Sequence, residues 1–447
     1  MTPCGQTVKH GAQHEFAISV EKPAILESLR ALTGRKQVDF LPLAQETEAL
    51  PAYPPAQRYL FQLRDGAKPE SAAEDLFMSL MHDVLGVEPT RQAAVRDGWV
   101  DFLLREPNSR ILPIELKGLF QRHHADALRR HDANPAHHVP QIKNYLSQHE
   151  YLVFTDLRTA WLCSTREFFF EDKPFAHLPF ADFLERCLEA RNITDAIRRL
   201  EDTVDKPNLE QQFFEDLKHW FDEFGKVKWQ PAERAPEFII LLLNKLIFAK
   251  TLEDFGLVPY RCIQDEYELR KDRWEAKGAV KVVRHFLVEF EEFFDEYYDT
   301  EIFSERIWDK LVPEEQNCAR FCEKLEFMLG LDPWNTAMGR GVVNYNYRRI
   351  DEDIFGKSYE MFLAADRKDE GIYYTPAGIT TPMADSLVQS LAGDLVDQVC
   401  AAVDAKTCDF VRADTLLAQL AELRIADTAC GSGGFLIKVL RAFWRHY

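Results

Sequence analysis

The sequence contains no CxxC pair and no His/Cys cluster at zinc spacing, although it has nine cysteines, so the common structural zinc modules are excluded. Long apolar runs are missing too. The longest, residues 238–243, is far too short to cross a bilayer, and the opening Met1-Thr2-Pro3-Cys4-Gly5 lacks the apolar stretch of a secretion signal. These absences lead to the expectation of a soluble, cytoplasmic protein with reduced cysteines and no membrane contact. Positive charge is also scarce. The formal net charge is -19, a poor fit to a protein that coats nucleic acid with a uniformly basic surface. The acidic excess is concentrated, densest over residues 289–305, which leaves room for a local basic track elsewhere. What is present is ample core material. With 46% hydrophobic, 12% aromatic and 28% charged residues the composition is that of a folded protein, and 447 residues call for more than one domain.

Residues 1–70 are weakly patterned. Pro51, Pro54 and Pro55 mark a turn-rich connection, and Tyr59-Leu60-Phe61-Gln62-Leu63 has the composition of a strand. A helix is predicted from Ser71, with Leu76, Phe77, Leu80 and Met81 on one face, a capping box from Ser71 to Glu74 and a stop at Gly86. Asp97-Gly98 signals a hairpin turn and residues 100–104 a strand. A second turn at Pro107-Asn108-Ser109 leads into the strand Ile111-Leu112-Pro113-Ile114-Glu115-Leu116-Lys117. Pairing these strands brings Asp101 towards Glu115 and Lys117, which share a face because they are two residues apart. Charged groups aimed at one spot in an apolar setting are costly unless compensated. A divalent cation compensates them. Two carboxylates and the backbone carbonyl of Leu116 make a hard-oxygen site suited to Mg2+, and Lys117 can orient water and stabilise charge on a phosphate. A turn aspartate beside an ordinary surface pair on an edge strand fits the same letters, and the pattern alone leaves both readings open.

This stretch resembles a nuclease of the PD-(D/E)XK superfamily, as found in fused restriction–modification enzymes. The resemblance rests on Asp101, on Glu115-Leu116-Lys117, on the upstream helical acid Glu74 and on Gln141-Ile142-Lys143-Asn144-Tyr145, whose Gln141 and Tyr145 lie one helical turn apart. It implies metal binding by Asp101, Glu115 and the Leu116 carbonyl. It further implies catalytic or supporting roles for Lys117, Gln141, Tyr145 and Glu74, and closing strands at 151–156 and 159–163. Val100 departs from the family's proline before the Asp. Arg122, His123, His124, Arg129, Arg130, His131, His137 and His138 follow Lys117; they read as a solvated loop, with a phosphate-contacting lid or a histidine metal site as alternatives.

Residues 180–349 are mostly helical in period. Residues 238–248 form the strongest core helix, continuing to Phe255 and stopping at Gly256. Phe286, Phe290, Phe293, Phe294, Tyr297 and Tyr298, set among acids, read as a packed helix face whose acidic flank repels DNA. Residues 242–257 resemble the helical connector that precedes the methyltransferase domain in the same fused enzymes.

Residues 423–436 read as a short apolar strand, a glycine-rich turn and the opening of a helix. That geometry cradles a small polar ligand at the C-terminal edge of a parallel sheet. The loop Cys430-Gly431-Ser432-Gly433-Gly434 is not G-x-G-x-x-G, and no Gly-Lys-Ser/Thr ends it, so it is not a P-loop. Upstream, residues 350–363 read as a helix and a further helix is expected to start at Pro382. Together, Gly-x-Tyr-Tyr-Thr-Pro at 371–376 and Asp-Thr-Ala-Cys-Gly-Ser-Gly-Gly-Phe-Leu at 427–436 resemble the first two conserved blocks of adenine-N6 DNA methyltransferases, with Thr428 in place of the usual proline. By that resemblance Asp427, Ala429, Cys430, Gly431 and Gly433 embrace S-adenosylmethionine, and Tyr374 and Thr375 contact its amino-acid end. The resemblance also expects an Asn/Asp-Pro-Pro-Tyr/Phe motif for a flipped adenine and a target-recognition domain. Neither occurs before Tyr447, so the expectation is the front portion of a longer protein.

The expected architecture is an α/β nuclease core, an all-α connector and the beginning of a Rossmann-like α/β methyltransferase domain, at residues 1–175, 176–349 and 350–447. The expected partner is double-stranded DNA, and oligomeric state is not readable. Two alternatives stay open: a DNA adenine methyltransferase with an inactive nuclease-like DNA-binding module, and an acidic helical interaction or scaffold protein.

Overall fold

The structure, a computed structural model, describes residues 21–39, 50–95, 98–106, 110–124, 127–204, 209–298, 301–310, 312–331, 339–350, 377–403, 409–428 and 433–446. It is a helix-rich α/β fold with a mixed sheet. The chain divides into two compact units. One holds Met1–Pro207, Gly256–Cys262 and Gly330–Tyr345; the other holds Asn208–Phe255, Ile263–Leu329 and Asn346–Tyr447.

The first unit begins with α1 (Glu21–Gly34), β1 (Gln37–Asp39), α2 (Pro54–Arg64) and α3 (Pro69–Leu80). Its large sheet is built from β2 (Thr90–Val95), β3 (Gly98–Arg105), β4 (Ile111–Leu116), β7 (Tyr151–Thr155), β8 (Thr159–Ser164) and β9 (Ala176–Pro179), in that spatial order. The small one joins β5 (Phe120–His124) and β6 (Ala127–Arg130) to β1. Every pair in the large sheet is antiparallel except β4 with β7. A parallel pair needs a long crossover, and the chain supplies one through the β5–β6 hairpin and α4 (Val139–Leu146). Alternation then sorts the side chains. Ile114, Leu116, Tyr151 and Val153 pack into a core with α1, α2, α3, α6 (Phe180–Glu189) and α7 (Ile193–Thr203), the last two following α5 (Thr165–Glu171). Leu103, Leu152, Phe154 and Cys163 face a second core with Ile142, Tyr145 and Leu146 of α4. Glu115, one residue out of phase with Ile114 and Leu116, belongs by alternation to the α4 side.

Several expectations are corrected. Residues 59–63 are helix, not strand: Pro54 and Pro55 occupy the first positions of α2, where a fixed φ suits helix initiation, and Ala56, Tyr59, Leu60 and Leu63 are buried at helical spacing. The Ser71–Glu74 capping box is not formed. Lys68 is the N-cap of α3 without a side-chain bond and Pro69 opens the helix, so Ser71 already lies inside it. Gly86 does end this segment, after a π-turn at Met81–Leu85, with φ +71°. The supposed loop after Lys117 is the β5–β6 hairpin, whose Phe120 and Leu128 join Val38 of β1 in the core.

The second unit is mainly helical through residue 328, with α8 (Leu209–Gly225), α9 (Ala235–Asp254), α10 (Cys262–Trp274), α11 (Ala279–Tyr298) and α12 (Cys318–Met328) among its elements and a short antiparallel pair joining Trp229–Gln230 to Val312–Pro313. A fully buried Lys245–Glu291 pair at 2.5 Å joins α9 to α11, and Glu291 also accepts from the Ile307 amide at 3.0 Å. Of the expected aromatic face, Phe286, Phe290 and Phe294 are buried while Tyr297 is 71% exposed. No described helix is long and apolar enough to cross a membrane. Beyond residue 376 come α13 (Ala377–Val403), α14 (Phe410–Ala421) and α15 (Gly434–His446). Pro382 lies inside α13 instead of starting it. Its missing N–H removes the bond to the Gly378 carbonyl, within the second turn. Residues 423–427 are not a strand, since an extended segment becomes one only against a partner and no described segment pairs with them. The helix expected at 350–363 lies almost entirely outside the described residues.

Candidate active site

Register builds the first site. Phe102 of β3 faces Ile114 of β4, and one step further stand Asp101 and Glu115, so two carboxylates meet across neighbouring strands. Asp101 Oδ2 accepts the Leu116 amide at 2.8 Å. Glu115, 3% exposed, is held from three sides. Lys117 Nζ and Gln141 Nε2 each lie 2.8 Å from its Oε1, and the Tyr145 hydroxyl lies 3.2 Å from its Oε2. Gln141 Nε2 also reaches the Tyr145 oxygen at 2.8 Å, and that hydroxyl can donate to the Trp99 carbonyl at 2.8 Å. Residues 141 and 145 meet because they are one turn apart on α4.

Electrostatics bears the marks of crowding. Burial, and then the Glu115 carboxylate beside it, push the Asp101 pKa up to about 6. Burial, then Asp101, raise that of Glu74. For Lys117 burial pulls downward, but Glu115, Asp101 and Glu70 outweigh it and the ammonium form is favoured.

The structure therefore gathers Glu115, Lys117, Gln141 and Tyr145 into one hydrogen-bonded group, with Asp101 beside it, bonded to the Leu116 amide. Glu74 lies close enough to feel Asp101, but its ion-pair contact is Arg91 at 3.8 Å. Four contributors were not foreseen: the Leu116 amide, the Trp99 carbonyl, Glu70 at 4.0 Å from Lys117, and His138, whose Nδ1 is 3.3 Å from Gln141 Oε1. The signal for Glu70 was present in its neighbourhood of Glu74; backbone contributors carry no letter at all. Among the described residues no group of three or more His, Cys, Asp or Glu could hold a metal ion. A cation here has at most two carboxylates and a carbonyl. That donor set is of the hard-oxygen kind that Mg2+ takes while keeping several waters; the raised Asp101 pKa reflects burial first and the neighbouring Glu115 carboxylate second.

The second site lies in the region after residue 376. Its small core is Ala384 and Val388 of α13 with Val439 and Ala442 of α15. A cavity of about 740 Å³ opens beside it, lined by Pro382, Met383, Ser386, Asp427, Thr428, Phe435 and Leu436 among others. That size falls within the range of small-molecule sites. Gly433 has φ +84°, a left-handed conformation that favours glycine, immediately before α15 begins. Asp427 and Gly433 thus flank the cavity end of the expected loop. Tyr374, Thr375, Ala429, Cys430 and Gly431 lie outside the described residues.

Residues 350–447 match the N-6 DNA methylase family. A Type II restriction enzyme and methyltransferase of Escherichia coli is 21% identical over 248 residues, covering 54% of this chain and 22% of that protein. A putative Type II restriction enzyme and methyltransferase of Methanocaldococcus jannaschii is 24% identical over 256 residues, covering 46% of this chain and 20% of that protein. The chain thus spans about a fifth of the length of the curated relatives it matches. Among solved structures, the cryo-EM structure of the DrdV–DNA complex is 14% identical and covers 86% of this chain and 34% of that one, at a TM-score of 0.27. The chain is thus similar to N-6 DNA methylases over residues 350–447 and, over about half its length, to two Type II restriction enzyme–methyltransferase fusions.

Proposed function

We propose that the protein is a restriction–modification enzyme that joins Mg2+-dependent endonuclease activity on double-stranded DNA to adenine-N6 methylation of DNA. Residues 1–175 form the PD-(D/E)XK-like nuclease, 176–349 the helical connector and 350–447 the start of the Rossmann-like methyltransferase. The observation that carries the nuclease half is the meeting of Asp101 and Glu115 across β3 and β4, with Lys117 on the same carboxylate.

In this reading Asp101, Glu115 and the Leu116 carbonyl hold Mg2+, which when bound makes water a better nucleophile and withdraws charge from the phosphate. Lys117 stabilises negative charge developing on the scissile phosphate. Gln141 and Tyr145 keep Glu115 in one orientation through the contacts at 2.8 and 3.2 Å. Glu74 adds negative charge beside Asp101. In the methyltransferase, Asp427, Ala429, Cys430, Gly431 and Gly433 embrace S-adenosylmethionine, and Tyr374 and Thr375 contact its amino-acid end. The methylase match over 350–447 and the cavity beside Asp427 support this half.

The test is DNA cleavage by the full-length protein carrying Asp101→Ala or Glu115→Ala. Loss of Mg2+-dependent cleavage with methylation retained is expected. Undiminished cleavage in either variant removes the nuclease assignment. A second reading, an inactive nuclease-like module coupled to an adenine methyltransferase, is favoured by the fact that Lys117 already neutralises Glu115 at 2.8 Å. It expects no divalent-cation binding to the wild-type chain.

A further inference from the structure

Gln141 is committed to one orientation. Its Nε2 spends both protons, one on Glu115 Oε1 at 2.8 Å and one on the Tyr145 hydroxyl at 2.8 Å. The amide oxygen is therefore the atom turned towards His138, whose Nδ1 lies 3.3 Å away. An acceptor at that place assigns the ring proton to Nδ1, because the opposite tautomer would set two lone pairs against each other. The imidazole is itself fixed. Its ring lies 5.3 Å from that of Phe154, and His138 is the N-cap residue of α4, the helix that carries Gln141 and Tyr145. Burial, and then the Lys117 charge, hold its pKa below the ordinary value, which favours the neutral ring.

We propose that His138 is a positioning residue for the carboxylate site: by donating from Nδ1 to Gln141 Oε1 it locks the amide so that both amide protons face Glu115 and Tyr145, and so presents Glu115 to a divalent cation. The proposal rests on the reading of Asp101 and Glu115 as a cation site. Without the His138 donor the amide is held only from the Glu115 and Tyr145 side, and its oxygen has no partner to keep it turned away from them. The flipped amide turns its oxygen on the Glu115 carboxylate, an acceptor against an acceptor, and swings the carboxylate away. His138 touches neither the phosphate nor the cation in this scheme. It acts through Gln141, as partners of ligands do at metal sites generally.

The experiment is a calorimetric titration of Mn2+ into the intact chain near neutral pH, for wild type, Glu115→Gln, His138→Leu, His138→Asn and His138→Asp. Asn offers an amide N–H close to the Nδ1 position, Leu fills the space without a donor, and Asp offers an acceptor. His138→Leu and His138→Asp are expected to weaken binding about 10-fold, the lower end of what lost ligand partners cost, and His138→Asn to recover most of that loss. A structural role alone does not separate Asn from Asp. Wild-type affinity in His138→Leu, or an Asn variant no better than Asp, overturns the proposal. If His138→Leu does not fold, the contrast of Asn with Asp decides. Loss of binding in Glu115→Gln with no change in the His138 variants removes this proposal and leaves the cation site standing; no binding by wild type removes both.

Discussion

The carboxylate cluster and the region after residue 376 are built in opposite ways. Around Glu115 every polar group of the proposed machinery has a counterpart, and the strands that carry it are paired on both sides, β3 and β7 flanking β4. Among the described residues after 376 the clustered core is Ala384, Val388, Val439 and Ala442, while Met383, Phe410, Val411, Leu440 and Trp444 are exposed, Trp444 by 88%. Apolar surface of that kind is ordinarily covered. The difference teaches that the two candidate sites depend on different amounts of structure. A cation site needs two neighbouring strands and one helix, all described here. A cofactor site of the doubly wound type needs a loop between a paired strand and a helix, and of these the structure describes the helix, the residues approaching the loop, and its last glycine.

If the sites are independent in this way, substitutions should separate them. The largest effect is expected from Glu115→Ala. It removes the carboxylate on which three donors converge, and Mn2+ affinity should fall by on the order of 100-fold or more, the upper range for perturbed metal sites, with S-adenosylmethionine binding unchanged. Calorimetry with each ligand on the same protein checks both halves. The reciprocal change, Asp427→Ala, should weaken S-adenosylmethionine about 10-fold, the worth of one charged hydrogen bond, and leave Mn2+ binding untouched. A matched loss of both ligands in either variant breaks the comparison.

A smaller effect is expected from pH. The Asp101 carboxyl titrates near 6 when folded, above its ordinary value of about 3.9. The folded state therefore keeps a proton that the unfolded chain releases between those values. Its stabilising contribution is complete below about pH 4 and is lost as pH rises through about 6. Thermal unfolding should show this fall in wild type and lack it in Asp101→Asn. Saturating Mg2+ should raise the Tm more above pH 6 than below pH 5, because the cation needs the ionised form. The smallest change is Tyr145→Phe. It deletes one hydroxyl that serves Gln141, Glu115 and the Trp99 carbonyl, and should cost about 1 kcal/mol of stability by denaturant titration.

Much of the first site was legible because its logic is local. The alternation of residues 98–105 and 111–116 and the turn between them set Asp101 against Glu115, and the four-residue spacing of Gln141 and Tyr145 put both on one helix face. The parts that were not legible depend on distant partners or on the backbone. The β5–β6 hairpin looked like a loop because the strand that completes its sheet, Gln37–Asp39, lies some eighty residues upstream. Residues 59–63 carry strand-forming aromatics, yet the helix that Pro54 and Pro55 initiate buries Tyr59, Leu60 and Leu63 at a helical period. His138 gave no sign of its role, since one histidine among several in a basic stretch looks like its neighbours until Gln141 is placed beside it.

The nuclease reading rests on Asp101 and Glu115 sharing a divalent cation. Anomalous diffraction from crystals of the intact chain soaked in Mn2+ tests it most directly. A peak is expected about 2.2 Å from an oxygen of each carboxylate, in the range of hard-cation bonds, with Lys117 displaced from Glu115 or shared with the ion. Density empty at that point under saturating Mn2+, with Lys117 still paired to Glu115 at 2.8 Å, would contradict it.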